Sequence, residues 1–368
     1  MKQGWEYKKI GNICNITTGK LDANAANEDG LYPFFTCSRI PLSINTYAYD
    51  CECILIAGNG DLNVKYYNGK FNAYQRTYIL QLKNDVNGVE MRYIFAFFNL
   101  YIEELRRKSI GGIIKYIKLG DLTNALLPLP DITTQLSIVS ELDKINELIR
   151  LKKEQLKDYD NLAQSIFYEM FGDPVENEKG WEVKKLGEVC SVGTGSTPNR
   201  KNKEYYEHGI YPWVKSTEVC NLPIYSVEEF ITEEALQNTN CGLYPKDSIL
   251  MAMYGQGKTR GQVGLLKIEA CTNQAVAAIV PSKKINSIFL YRHLMLMYEH
   301  IRDMARGGNQ ANLNLTIVRS IQILLPPLPL QHLFAQRIEQ IERQKSAVQK
   351  SITDLETLLA SRMQYWFE

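Results

Sequence analysis

The chain of 368 residues contains no run of 18 apolar residues, no signal-peptide pattern in its opening MKQGWEYKK, no Cys-x-x-Cys pair and only four histidines. The first two absences argue against a membrane span and a secretory route and set the expectation of a cytoplasmic chain. The eight cysteines, Cys14, Cys37, Cys51, Cys53, Cys190, Cys220, Cys241 and Cys271, are scattered. That distribution points to reduced structural thiols, not to disulfides or zinc ligands. Net charge is also scarce, 42 Lys and Arg against 41 Asp and Glu, which argues against a protein that grips nucleic acid unaided. Basic residues exceed acidic ones 15 to 12 over residues 1–130 and 17 to 15 over 176–329, whereas 131–175 carries 5 against 9. No Asn/Asp-Pro-Pro-aromatic or glycine-rich methyl-donor pattern occurs, and no carboxylate cluster followed by Lys suggests a nuclease. The residues call for no catalysis, metal or cofactor in this chain.

What the sequence does have is a long helix. Apolar residues fall at Ile138, Leu142, Ile145, Ile149, Leu156, Tyr159, Ala163, Ile166 and Met170, broken only by Lys152, the 3,4 spacing of a coiled-coil seam. Thr133 or Thr134 is the expected N-cap, and Gly172, Asp173 and Pro174 end the pattern. A helix of about 40 residues is roughly 60 Å long and needs a partner of equal length. The same chain supplies it 196 residues on: Phe334, Ile338, Ile341, Lys345, Ile352, Leu355, Leu359 and Trp366 match the seam, and Gln135, Ser165 and Phe171 become Gln331, Ser361 and Phe367. LLPLPDITTQ at the start of the first helix has its counterpart in LLPPLPLQ.

The repeat extends to the rest of the chain. WEYKKIGNICNITTG at 5–19 recurs as WEVKKLGEVCSVGTG at 181–195, LYPFFTCS at 31–38 as IYPWVKST at 210–217, and ILIAGNG at 54–60 as ILMAMYGQG at 249–257. The offset grows along the copy, so the second carries about 20 more residues in its loops. β-branched and aromatic runs (ECILIA, KYYNGKF, RTYILQL; DSILMAMY, QVGLLKI, AVAAIV) predict strands. Residues 91–108 and 287–306 predict helices ending at Gly111-Gly112 and Gly307-Gly308. The expected fold is α+β: two similar domains, 1–130 and 174–328, joined by two long helices, 131–173 and 329–368. Only about nine residues, 172–180, follow the first helix before the second domain. The second helix must therefore run back antiparallel, which gives a pseudo-twofold repeat with one domain at each end.

Ala252 with Gly257-Lys258-Thr259 fits a relaxed phosphate-loop pattern, but TRGQVGLLKIE after it reads as loop and strand with no helix to face a phosphate. The loops do carry side chains suited to base edges and phosphates. These are Thr18, Lys20, Ser38, Arg39, Asn59, Lys65, Gln75 and Arg76 in the first copy. In the second they are Thr194, Ser196, Thr197, Arg200, Lys215, Ser216, Gln256, Lys258, Arg260, Asn273 and Gln274. Any one of them is at home on an ordinary surface, and the information lies in the set.

Two copies that begin W-x-x-K-K-[IL]-G-x-x-C, each ending in a Leu/Pro-rich stretch followed by Gln135 or Gln331 and a long helix, resemble the DNA-specificity subunit of type I restriction–modification systems. The resemblance covers essentially the whole chain. It implies that each domain recognises one half of a bipartite site in double-stranded DNA. It implies further that the helices act as ruler and docking surface for two methyltransferase subunits that use S-adenosylmethionine, and that ATP-driven restriction (translocase) subunits can join them. A coiled-coil scaffold that does not bind DNA, or a self-contained DNA-modifying enzyme, would be the alternatives.

Overall fold

Two helices of 40 residues, Ile132–Phe171 and Leu328–Phe367, each contribute one end to each of two units. The computed structural model describes residues 4–112, 114–255, 257–305 and 312–368. One unit comprises residues 1–154 with 349–368 and the other residues 155–348.

The first unit runs β1 (Glu6–Lys9), α1 (Ile10–Ile13), β2 (Cys14–Thr18), β3 (Tyr32–Phe35), β4 (Leu42–Ile44), β5 (Tyr49–Ala57), β6 (Val64–Ala73), β7 (Thr77–Leu82), α2 (Met91–Lys108), α3 (Leu119–Thr123), β8 (Leu126–Leu129) and the start of α4 (Ile132–Phe171). Six strands pair in the order β2-β7-β5-β6-β3-β4, and β1 pairs with β8. One face of the sheet is closed by α2: Tyr93, Ile94, Phe97 and Phe98 share a core with Ile54, Ile56 and Leu80. Into the same core go Ile138 and Leu142 from the start of α4 and Phe367 from the end of the second long helix. Phe35, Leu55, Phe71 and Ile79 fill a smaller core with Cys53 and Ala73.

The second unit takes the end of α4, then β9 (Val183–Lys185), α5 (Leu186–Val189), β10 (Ser191–Thr194), β11 (Tyr211–Val214), β12 (Pro223–Ile224), β13 (Phe230–Ile231), α6 (Glu233–Asn238), β14 (Ile249–Ala252), β15 (Val263–Leu266), β16 (Cys271–Thr272), β17 (Val276–Val280), α7 (Ser287–Leu296), α8 (Tyr298–Met304), α9 (Leu315–Ser320), β18 (Gln322–Leu324) and the start of α10 (Leu328–Phe367). Its β10-β17-β14-β15 order repeats β2-β7-β5-β6, and β9 with β18 repeats β1 with β8. Where β6 is continuous and pairs with both β5 and β3, the second unit has two short strands, β15 beside β14 and β16 beside β11. Its core joins Phe289, Leu290 and Leu294 to Met251 and Ile279, with Phe334, Ile338 and Ile341 of α10 and Ala163, Phe167 and Phe171 of α4.

In each unit the start of one long helix thus meets the end of the other, so the two run antiparallel there. In the first unit Glu141 faces Arg362 and Lys153 meets Glu356 at 2.8 Å. In the second Asp160 meets Lys345 at 2.6 Å and Phe167 packs against Phe334. The expected seam rotates in its last turns: Phe167 and Phe171 are fully buried, while Ile166 and Met170 are half-buried. The cause is that this end packs on α7 as well as on α10.

The repeated Pro-rich stretch and glutamine have a physical explanation. Gln135 is fully buried; its Oε1 accepts from Glu90 N at 2.9 Å and its Nε2 donates to Gly88 O at 3.0 Å and Pro130 O at 2.8 Å. Gln331 does the same in the second unit, accepting from Asn286 N at 2.8 Å and donating to Pro326 O at 2.7 Å. A buried amide so placed joins the entry of the domain helix to the entry of the long helix, accepting from the N–H of the domain helix's cap residue and donating to the carbonyl oxygens that lead into the long helix.

Three local expectations need correction. The cap of α4 is Asp131, whose carboxylate accepts from Thr134 N at 3.0 Å and Thr134 Oγ1 at 2.6 Å, because the helix already begins at Ile132. The α2 helix stops at Ser109 in extended conformation, two residues before Gly111; Gly307-Gly308 lies outside the described residues. The helix expected over 287–306 is broken at Met297 into α7 and α8. Gly172 ends α4 with φ +76° and donates to Tyr168 O at 2.9 Å, a left-handed C-terminal position that glycine adopts without strain.

Candidate nucleic-acid interface

All eight candidate residues of the first unit fall on one rim of its sheet. Thr18 ends β2, Lys20 comes just after it, Ser38 and Arg39 lie between β3 and β4, Asn59 between β5 and β6, Lys65 at the start of β6, and Gln75 and Arg76 in the turn before β7. Hydrogen bonds tie these loops together. Gly58 N donates to Arg76 O at 2.8 Å, Gly19 N to Thr77 O at 3.1 Å, Cys37 Sγ to Asn59 Oδ1 at 2.9 Å, and Asn63 Nδ2 to Cys37 O at 2.8 Å. Thr18, Gly58, Gln75 and Arg76 line a shallow pocket of about 260 Å³ walled by Tyr78, Tyr116 and Ile117.

The cations on this rim are not equivalent. Arg39 makes a bidentate pair with Asp61, 2.6 and 3.2 Å, and Arg106 approaches the same carboxylate at 3.7 Å. These guanidinium contacts hold Asp61 below the usual carboxylate range. Lys65 is half-buried, bonds Asn63, and is pushed down by burial. Gln75 donates to Asp22 at 2.8 Å. Arg76 and Lys20 are exposed and have no side-chain partner among the described residues.

In the second unit the candidates form two groups. Thr194 donates to Val276 O at 2.7 Å, Thr197 to Gln274 Oε1 at 2.6 Å, Trp213 Nε1 to Ser196 O at 3.1 Å and Asn273 N to Val214 O at 3.1 Å. Ser196, also bonded to Cys241, lies with them, as do Lys215 and Ser216 after β11. Arg200 pairs with Glu229 and lies over the rings of Tyr206 and Trp213 at 4.6 and 4.9 Å. Lys215 pairs with Glu228 at 2.8 Å and with the same Glu229 at 3.0 Å. The two cations hold Glu229 below the usual range; Glu229 holds Arg200 up, and Glu228 together with Glu229 holds Lys215 up.

The second group is the loop between β14 and β15. Among the described residues Lys258 is exposed and without a side-chain partner, and Arg260 has a buried Nε with no hydrogen bond. Tyr298 OH donates to Lys258 O at 2.6 Å and Arg302 Nη1 to Arg260 O at 3.1 Å, so α8 braces this loop. Gln256 lies outside the described residues. The chain passes from Thr259 through a turn into β15 without forming a helix, so no helix N-terminus faces a phosphate here.

Sequence reasoning missed Lys115, Lys118 and Arg302, which stand beside these rims. Lys115 O accepts from Gly60 N at 3.0 Å. Their signal, a Lys-bearing apolar stretch and a helix face, became legible only once the backbone placed it. All eight cysteines are free, and burial pushes Cys14 up to about 12 and Cys190 up to about 11. Among the described residues no cluster of His, Cys, Asp or Glu could hold a metal, and no helix is long and apolar enough to cross a membrane.

The family model for the type I restriction modification DNA specificity domain matches residues 2–158 and again 178–357. The Escherichia coli type I restriction enzyme EcoDI specificity subunit is 25% identical over 378 residues, spanning 95% of this chain and 84% of the relative. The MjaVIII specificity subunit of Methanocaldococcus jannaschii is 23% identical, spanning 97% and 92%. The crystal structure of a type I restriction–modification S subunit from M. genitalium superposes with a TM-score of 0.61 at 15% identity, over 100% of this chain and 98% of that one. A chain from a structural study of complex assembly and conformational transition in a type I system superposes with a TM-score of 0.63 at 17% identity, over 99% and 97%. The last two establish likeness of fold.

Proposed function

Because the chain belongs to the family of type I restriction–modification DNA specificity domains, which it carries twice, we propose that it is the non-catalytic specificity subunit of a type I restriction–modification complex. Each unit reads one half of a bipartite DNA site through its rim. The helices α4 and α10 set the spacing of the halves and dock the methyltransferase subunits, two of them by the symmetry of the repeat. Those partners supply S-adenosylmethionine and the methyl transfer, ATP-driven restriction subunits can join them, and the assembly works in the cytoplasm.

The observation that carries this reading is a repeated scaffold under two different rims. Strand order and the glutamine joint recur, while the polar loops between β3 and β4 or β5 and β6 share little with their second-unit counterparts. A protein that recognises two unlike half-sites needs that combination. The few rim cations left unpaired among the described residues and the net charge of +1 leave much of the phosphate contact to the partner, since sequence-independent affinity scales with the phosphates neutralised.

Co-expression with the methyltransferase partner and sequencing of the methylome tests this. The expected result is a bipartite motif with a fixed spacer. Inserting one heptad near Lys152 and another at Val348 keeps the seam in register and adds about 10 Å. The spacer should then grow by up to roughly three base pairs, at ~3.4 Å each, with both half-sites unchanged. A spacer that stays the same at full activity overturns the ruler, and a continuous motif overturns the division of labour between the units.

A further inference from the structure

After α2 the first unit exposes apolar side chains on a stiff support. Ile110 and Tyr116 bridge each other in both directions, N to O 3.0 and 2.9 Å. Ile114 stands in the turn they close and is 62% exposed, with Ile110 at 42% and Tyr116 at 38%. The loop is pinned to the rim: Gly60 N donates to Lys115 O at 3.0 Å, Ile117 N to Gly58 O at 3.0 Å, and Tyr78 OH to Ile117 O at 3.2 Å. Gly111 holds φ +120°, and a Cβ there would come within 2.6 Å of the Ile114 carbonyl oxygen, so the turn depends on glycine.

Exposed apolar side chains held together on a braced loop mark a contact surface, and the surroundings select its occupant. Residues 105–120 contain five Lys and Arg and no Asp or Glu; Arg106, Arg107 and Lys108 are paired with Glu103 and Glu104, which leaves Lys115 and Lys118 as the free basic charge of the loop. The side chains of Lys115 and Lys118 are exposed and make no ion pair among the described residues, the Asp121 carboxylate accepting from the Lys118 backbone N at 2.7 Å. Tyr116 and Ile117 share the pocket of Arg76 and Gln75. An apolar tip in a basic setting, continuous with a rim of base-reading side chains, fits nucleic acid better than a protein surface. We propose that Ile114, backed by Ile110 and Tyr116, is a wedge that enters between two base pairs of the first half-site, unstacks that step and bends the duplex, with Lys115 and Lys118 on the flanking phosphates. This rests on the DNA-reading function proposed above. Branched aliphatic wedges replace lost stacking with apolar contact, and the cost of the deformation favours pyrimidine–purine steps, so the loop adds selectivity without hydrogen bonds to bases. The matching stretch of the second unit includes residues 306–311, outside the described residues.

The test uses the full chain with its methyltransferase partner and duplexes carrying 2-aminopurine at successive positions of the first half-site, a base that brightens when unstacked. One step away from the methyl-accepting base should brighten with the native chain and with Ile114→Met, and that signal should be lost with Ile114→Ala. The signal at the methyl-accepting base, which methyltransferases extrude from the helix, should persist, as should the preference at the other positions of the half-site, while preference for a pyrimidine–purine step at the wedge weakens. Specific binding in which no second position brightens, or brightening that survives Ile114→Ala, overturns the wedge and leaves the proposed function standing. Release of the methyltransferase from the Ile114→Ala chain on gel filtration overturns it in favour of a protein-docking loop. A native complex with no sequence preference removes the proposed function itself, and the wedge with it.

Discussion

At the end of α10, in the first unit, Trp366 stacks on Trp5 with ring centroids 6.3 Å apart and donates Nε1 to Glu141 at 3.0 Å, while Arg362 grips the same carboxylate with the Nε and Nη2 of one guanidinium edge. At the end of α4, in the second unit, Phe167 and Phe171 insert among Phe289, Phe334 and His293, at centroid distances of 4.8 to 5.9 Å. Both units bury aromatic rings at the incoming helix end, Phe367 in the first and Phe167 with Phe171 in the second, but the first adds an ion pair where the second adds further rings. A half-exposed ion pair contributes at most ~1 kcal/mol, since water and salt screen it. Tightly packed, fully buried aromatics contribute several times that. The second unit should therefore hold its incoming helix end more firmly, and the difference can be pressed from either side.

Phe167→Ala is the most damaging change of this set. Its ring is 1% exposed and meets four aromatic neighbours and His293, and emptying such a site costs ~3–5 kcal/mol. Phe367→Ala removes a ring that is 9% exposed and whose aromatic neighbours among the described residues are Tyr93 and Phe97 alone, so its cost should be smaller. Amide exchange tracked unit by unit in the full chain measures both. Equal losses of protection would show that the two docking sites are equivalent after all.

Acid sensitivity separates the units next. His293 is fully buried, accepts from Leu324 N at 3.4 Å, and has an Nδ1 without a partner; Phe97 holds the same place in the first copy. Burial pushes this imidazole down from 6.5 to about 3. In the unfolded chain it binds a proton as pH falls through 6.5, whereas in the folded chain it stays neutral down to about 3. Unfolding therefore takes up a proton across that window, and the second unit loses about 1.4 kcal/mol for each pH unit below 6.5. His293→Phe should flatten this dependence between pH 6.5 and 4 while changing little at pH 7.5, read from thermal melts across that range. A mutant with the native slope would mean that other groups carry the acid response.

Much of this fold is legible in the sequence because it is written twice. The seam, the strands around ILIA and ILMA, and the paired Gln135 and Gln331 stand out by repetition before any geometry is known. The pairing of charges is not legible. Arg39 finds Asp61 across 22 residues and Arg200 finds Glu229 across 29, distances at which no periodicity connects them and only the closing of loops brings them together. The break at Met297 has no Pro or Gly to announce it, and the turn of the seam onto Phe167 results from packing on α7. The loop candidates, chosen by residue type, are for the same reason a mixture of side chains already committed within the protein and side chains left open to a ligand.

That mixture yields the contrast with the smallest expected effect. Lys258 and Arg260 make no side-chain ion pair among the described residues, whereas Lys215 is held by Glu228 and Glu229 and Arg200 by Glu229 and two rings. A side chain already paired must give up that partner before it can bind DNA, so its net contribution to recognition is small. Replacing Lys258 and Arg260 by Ala should weaken or relax recognition of the second half-site by ~1–3 kcal/mol and leave the first untouched. Each lost phosphate contact should also flatten the salt dependence by about one unit of slope. Lys215→Ala should leave both half-sites nearly as they were. Binding of the assembled complex to duplexes altered in one half-site at a time, across a salt series, separates these outcomes. Equal losses from Lys215→Ala would place the contact on the paired group, and loss of ATP binding with unchanged DNA preference would restore the phosphate-loop reading of residues 252–259.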